Sequence, residues 1–504
     1  MDQNNLEKLK EELSELYHLS SAVSVLHWDQ EVYMPQKGSD LRAKTIAEMS
    51  GLIHNKFVSP QFGKLLRIAK KDSDDGKLSD SDSCIVKEVW REYSREKKLP
   101  LEFVKELAEL ESKAQGAWTE ARKKSDFKMF LPYLKKIVEF KRREAELVGY
   151  KDSPYDALLD TYEPYATTKE LSLVLEELKK FLVAFLLKIK KSKVKISDKI
   201  LKGSFSVEKQ IEINEAIAKK IGFNFDAGRL DVSAHPFTIH FHPDDVRMTT
   251  RYDEKDLFSS INSTIHETGH ALYEQGLPAE NFGTPLGESI SLGIHESQSR
   301  MWENIIGKSR EFWKYFYPKM QKEFSAHFSR ISQEDFYKAI NAVKPSLIRV
   351  EADEVTYNLH VIMRFEIEKD LIEGCIRVED LPKIWNDKVK EYFGLKVPSD
   401  ALGVLQDVHW SGGMIGYFPT YTLGNLYSAQ FYNTAQKEIL NLEREIRNGH
   451  FEHLLNWLRK NIHIHGKAFS AGELVEKVTG EKLNSQYFID YIKEKYSAIY
   501  GIKG

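Results

Sequence analysis

His266-Glu267-Thr268-Gly269-His270 sets two imidazoles and a carboxylate within five residues of chain. On an α-helix, residues four apart lie on one face, so His266 and His270 can share one cation. Glu267 follows the first histidine and can sit beside that cation without ligating it, placed to take a proton from water. This spacing points to zinc-assisted hydrolysis of a peptide bond. The bland alternative is a pair of solvated or core histidines on an ordinary helix.

A catalytic zinc site usually has three protein ligands and one open position. Gly276 stands where an extended signature would place a third histidine, six residues after His270. Carboxylates beyond it are the next choice: Glu288, Glu296 and Glu303. Pro278, Gly283, Pro285 and Gly287 break the chain in between, so a second helix can fold back antiparallel. Ser289, Gly293 and Ser297 give that helix a stripe of small residues for close approach. Glu296 borders the stripe at mid-helix and is the expected third ligand. His295 competes with it, but adjacent helical residues point about 100° apart, so one of the two faces the metal. Glu274, one turn after His270, is expected to support the ligands rather than bind.

The elements that must hold these groups are helical. Leu6, Leu9, Leu13, Leu16 and Leu19 recur every three or four residues between charged ones, as an amphipathic helix requires. Similar patterns predict helices over roughly 38–57, 76–95, 98–123, 126–147, 168–191 and 206–221. The acidic, serine-rich stretch 72–82 reads as a loop between helices. Proline is scarce, 15 residues in 504, so little forbids helix. From Asp231 to Tyr252 the chain turns to Phe, Ile, Val, Thr and His around His242-Pro243-Asp244-Asp245, which predicts a β-hairpin just before the motif helix. An edge strand there offers an extended peptide a backbone to pair with. The expected fold is all-α with one small sheet. No internal repeat, low-complexity segment or Gly/Ser linker divides the chain.

Further blocks add to the metal motif: Ser233-Ala234-His235-Pro236-Phe237, Asp245-Val246-Arg247-Met248-Thr249, His295-Glu296-Ser297-Gln298, Ile348-Arg349-Val350-Glu351-Ala352-Asp353 and the run Gly403 to Trp410 with Gln406, Asp407 and His409. With Trp28-Asp29 and Met34-Pro35 they make the full length resemble the M32 metallocarboxypeptidases of the carboxypeptidase Taq type. The resemblance implies a mostly helical, gluzincin-type fold with a deep groove, similar to neurolysin and angiotensin-converting enzymes. It also implies a single peptidase domain over 1–504, with a helical region to about 200, a catalytic core at about 225–425 and C-terminal helices from 426. Its implied activity is removal of single residues from peptide C-termini with broad specificity. It assigns His266, His270 and Glu296 as ligands of Zn²⁺ or Co²⁺ and Glu267 as base. A cytosolic homodimer is implied as well.

Hydrolysis develops negative charge on the former carbonyl oxygen, and His409 with Tyr417 or Tyr421 is expected to donate to it. A terminal carboxylate calls for a guanidinium fork, and Arg349 and Arg247 are the expected anchors, assisted by His235. The structural alternative for Arg349 is an ion pair with Asp353 at i+4. His463-Ile464-His465 reads as a polar loop, and the segment around Trp457 as amphipathic core. A net charge of −3 provides no electrostatic footprint for nucleic acid or an anionic membrane. The first residues lack a signal-peptide pattern, and the longest apolar run, 181–187, is too short to span a bilayer. Two distant cysteines, Cys84 and Cys375, suit a reducing cytoplasm. Two competing functions remain, an oligopeptidase cutting internally with the same metal site and a non-catalytic helical binding protein.

Overall fold

A computed structural model describes residues 3–503. The chain forms two compact units, each assembled from three segments: Met1–Lys97, Asp198–Ile340 and Phe431–Lys482 in the first, and Lys98–Ser197, Asn341–Gln430 and Leu483–Gly504 in the second.

In the first unit the leading helix, Gln3–Val32, buries Leu9, Leu13 and Leu16 against Phe62, Leu66, Val86 and Val89. That is the spaced leucine stripe meeting its partners, Ser39–Phe57, Pro60–Asp74 and Asp80–Lys98. Helix enters both ends of the stretch expected as a loop, leaving residues 75–79 between elements.

Next to these helices lies one three-stranded sheet: β1 (Gly228–Val232), β2 (Thr238–His242) and β3 (Asp245–Thr250), in the order β1-β3-β2. The expected hairpin is β2 and β3, antiparallel across Pro243-Asp244. The third strand departs from the expectation. β1 pairs parallel with β3, and its sequence, Gly-Arg-Leu-Asp-Val, lies largely ahead of the apolar-aromatic run. Central strand β3 buries Val246 and Met248 completely.

The motif helix, Leu257–Glu274, starts at Asp256, whose side chain accepts from the Ser259 amide, and buries Ile261, Ile265 and Leu272. Two short 3₁₀ turns, Ala279–Asn281 and Pro285–Gly287, follow it. The next helix, Leu292–Arg300, is capped by Ser291 and widens into a π-helical segment, Met301–Ile306. Gly269 sits where these two helices touch. A Cβ there would lie 2.6 Å from the Ser299 Cα, so no larger residue permits this approach. The small residue that decides the contact is therefore on the motif helix.

In the second unit Glu354–Ile372 is the central helix and is buried nearly all round. Asp353 caps it, its carboxylate accepting from the Val355 and Thr356 amides. Helices Leu101–Lys124, Phe127–Val148, Thr168–Lys191, Leu381–Phe393 and Gln486–Tyr500 belong to the same unit. Among the described residues no helix is long and apolar enough to cross a membrane. Cys84 and Cys375 are free thiols.

Candidate metal centre

His266, His270 and Glu296 bring one donor atom each into a single cluster in the first unit. The two Nε2 atoms stand 3.2 Å apart, and Glu296 Oε2 lies 3.3 Å from His270 Nε2 and 3.8 Å from His266 Nε2. Ligands about 2.0–2.1 Å from one tetrahedral ion stand about 3.3 Å from each other. The triangle therefore has the size of one face of such a tetrahedron, and the donor set fits a divalent transition metal.

Each donor is oriented from behind. His266 Nδ1 meets Glu303 Oε2 at 2.8 Å, and Glu303 also accepts from Asn262 Nδ2 at 2.9 Å. His270 Nδ1 meets His295 Nδ1 at 2.5 Å, and His295 Nε2 meets Glu274 Oε1 at 2.5 Å. His295 therefore stands behind a ligand position rather than in the triangle. Arg300 Nε donates to Glu296 Oε1 at 2.6 Å, which leaves Oε2 toward the imidazoles. Glu288 is elsewhere, paired with Lys467.

The electrostatics of the pocket favour a cation. Burial pulls His266 down, but Glu296 and Glu303 outweigh it and hold the imidazole at about 9. Burial, reinforced by His295, takes His270 to about 3. Burial alone would raise Glu296, yet Arg300 and His266 hold it well below the carboxylate range. Glu267, beside the triangle, is raised by burial, and its Oε2 accepts from Thr238 Oγ1 at 2.7 Å. Thr238 lies on β2, so the sheet orients this carboxylate.

The remaining predicted residues fall into three places. Arg247 gives Nε and Nη2 to the two oxygens of Asp245, each at 2.9 Å, and stacks on the Trp28 and Phe241 rings. His235 is exposed in the loop between β1 and β2, where its carbonyl accepts from Ser233 Oγ. Within the second unit, Arg349, His409, Tyr417 and Tyr421 come together. Arg349 is buried and donates to Asp407 Oδ1 at 3.0 Å and to Tyr357 OH at 3.2 Å. Its partner is Asp407, not the Asp353 four residues on. Arg364, fully buried, donates to the other Asp407 oxygen at 2.7 Å. His409 Nε2 lies 3.4 Å from Tyr421 OH, and its ring packs on Phe418 and near Tyr417. Burial and Arg349 lower His409 to about 4, so the ring is neutral at pH 7.

Thr238, Arg300 and Arg364 are the groups that sequence reasoning missed. Arg300 had a signal, four residues after Glu296 on one helix. Thr238 and Arg364 had none, because strand register and three-dimensional packing bring them to their partners. His463 also departs from expectation: it is buried, and its Nε2 meets Gln298 Oε1 at 3.0 Å.

The profile of a family described as carboxypeptidase Taq (M32) metallopeptidase matches residues 8–496. The chain belongs to that family. It is 42% identical over 488 residues to carboxypeptidase 1 of Bacillus subtilis, covering 97% of each chain. Thermostable carboxypeptidase 1 of Thermus thermophilus is 43% identical over 499 residues, again with 97% of each chain covered. The crystal structure of the M32 carboxypeptidase from Deinococcus radiodurans superposes with a TM-score of 0.96 at 36% identity, covering 99% of this chain and 100% of that one. An M32 chain of this kind is a metal-dependent carboxypeptidase, and the half-buried His₂Glu triangle offers donors of the right chemistry for a divalent metal.

Proposed function

We propose that this M32 enzyme uses Zn²⁺, or Co²⁺ in its place, to release single residues from peptide C-termini with broad specificity. His266, His270 and Glu296 hold the ion, and Glu267 is the general base. The observation that carries the reading is the donor triangle with Glu267 beside it, its edges 3.2, 3.3 and 3.8 Å. The bound ion supplies a Lewis acid that polarises the scissile carbonyl and acidifies water. Glu267 accepts the proton of the attacking water and passes it to the departing amine, with Thr238 fixing which oxygen faces the reaction. His409, with Tyr417 or Tyr421, donates to the developing oxyanion as a neutral imidazole.

Arg349 anchors the substrate carboxylate, with Arg247 and His235 in lesser roles. Arg349 and Arg364 share one carboxylate, Asp407, which leaves guanidinium charge for an incoming anion. Arg247 has its fork already closed on Asp245. The whole chain works as one peptidase domain, a reading supported by a family match that runs from residue 8 to residue 496. We further propose a cytoplasmic homodimer that acts on free peptides, which sedimentation across micromolar concentrations checks.

Digestion of one peptide and its C-terminally amidated twin, followed by mass spectrometry, tests the activity. Stepwise loss of single residues from the free peptide, with the amidated twin resistant, is the expected result. Efficient internal cleavage of the amidated peptide overturns it and makes the enzyme an oligopeptidase.

A further inference from the structure

The helix Leu442–Arg447 and the helix Glu452–Asn461 meet in a tight turn through Asn448, Gly449 and His450. Backbone bonds close the turn, among them His450 N to Glu445 O at 2.8 Å and Gly449 N to Ile446 O at 3.0 Å. Gly449 has φ +81°, and a Cβ there would lie 2.3 Å from the Tyr315 ring, so the turn is held in one shape. That shape turns Glu445, His450 and His453 toward a common point. Glu445 Oε2 lies 3.2 Å from His450 Nδ1 and 3.6 Å from His453 Nε2, and all three donors lie within 4.8 Å of one another.

We propose that Glu445, His450 and His453 form a second site for a divalent transition-metal ion, built from none of the residues of the motif pocket. The two distances bracket closely the separation of about 3.3 Å expected for neighbouring ligands of a tetrahedral ion. Glu452 Oε1, 4.0 Å from His450 Nδ1, puts a further carboxylate oxygen within reach. Two imidazoles and a carboxylate select Zn²⁺, Co²⁺, Ni²⁺ or Cu²⁺ over Mg²⁺ and Ca²⁺, which take oxygen donors. The donor set repeats that of the motif pocket, but the setting differs. The side chains of His450 and His453 are 52% and 51% exposed, so the ion exchanges freely with solvent.

Calorimetric titration of Zn²⁺ into zinc-loaded enzyme, freed of excess metal by gel filtration, tests the proposal. Wild type is expected to take up one further equivalent, and Mg²⁺ should give no heat. The His450→Ala/His453→Ala double variant, and separately Glu445→Gln, should lose at least about tenfold in affinity for that equivalent. Both should keep the first equivalent and full peptidase activity. A His266→Ala/His270→Ala variant should keep the outer equivalent alone. No further uptake by wild type overturns the proposal, as does undiminished uptake by the double variant.

Discussion

The motif pocket of the first unit and the guanidinium cluster of the second both hold half-buried histidines, and His266 of the one and His409 of the other move in opposite directions. Burial is the largest influence on both and lowers both. At His266 two carboxylates, Glu296 and Glu303, overcome it and hold the ring at about 9. At His409 the guanidinium of Arg349 adds to burial, and the ring falls to about 4. Burial sets the stakes, and the sign of the neighbouring charge decides the outcome. Carboxylates dominate the surroundings of the first ring and guanidinium charge those of the second.

Breaking the cation side should have the largest effect. Chelation should abolish hydrolysis, and Zn²⁺ or Co²⁺ should restore it. His266→Ala, His270→Ala and Glu296→Ala should each lose tightly held metal, read by metal analysis after gel filtration. If Glu296→Ala keeps stoichiometric metal while Glu288→Ala or Glu303→Ala does not, the ligand set is different. Glu267→Gln comes next. It should keep metal and fold but lose activity by about 10²- to 10⁴-fold, mainly in kcat, because the proton moves in the transition state. Near-normal turnover by the metal-loaded variant would remove Glu267 from the role of base.

The anion side is broken at Arg349. Removing one partner of a buried charge pair costs roughly 2–5 kcal/mol, or about 30- to several-thousand-fold in kcat/KM. Arg349→Ala should lose activity on free peptides by that factor, keep its metal, and change little on the already poor amidated substrate. Arg247→Ala should lose less, because its guanidinium is closed on Asp245. Equal loss of Arg349→Ala activity on free and amidated peptides would make Arg349 structural.

The sequence was most legible where one face of an element is wet. Leucine spacing predicts the leading helix, and the amphipathic stretches 168–191 and 206–221 match Thr168–Lys191 and Val207–Ile221 to within a residue. It was silent at Glu354–Ile372, because a helix buried all round has no polar face to set the period. Arg364 and Glu368 went unread with it. Glu368 is pushed up to about 7 by burial and accepts from Tyr155, Trp410 and the Gly416 amide. The candidate site divides in the same way. Local spacing groups His266, Glu267 and His270 on one helix. The contact of Thr238 with Glu267 depends on strand register, and the facing of Glu303 toward His266 on a π-helical segment. Neither leaves a periodic trace in sequence.

The finest comparison is between two glutamates that stood equally open in sequence as alternatives to Glu296. Glu303 Oε2 takes His266 Nδ1 at 2.8 Å, which fixes the tautomer that turns the Nε2 lone pair into the donor triangle. Glu288 instead pairs with Lys467. Glu303→Gln keeps an oxygen near His266 but removes the charge that raises the basicity of the ring. It also removes the ionic partner of Arg300 and Lys308. Competition with a chromogenic chelator should show about 10- to 100-fold weaker metal binding in Glu303→Gln. Glu288→Gln should bind as wild type does. If the two variants hold metal equally well, His266 is oriented by helix packing alone, through the close contact of Gly269 with Ser299, and Gly269→Ala becomes the substitution that loosens the metal.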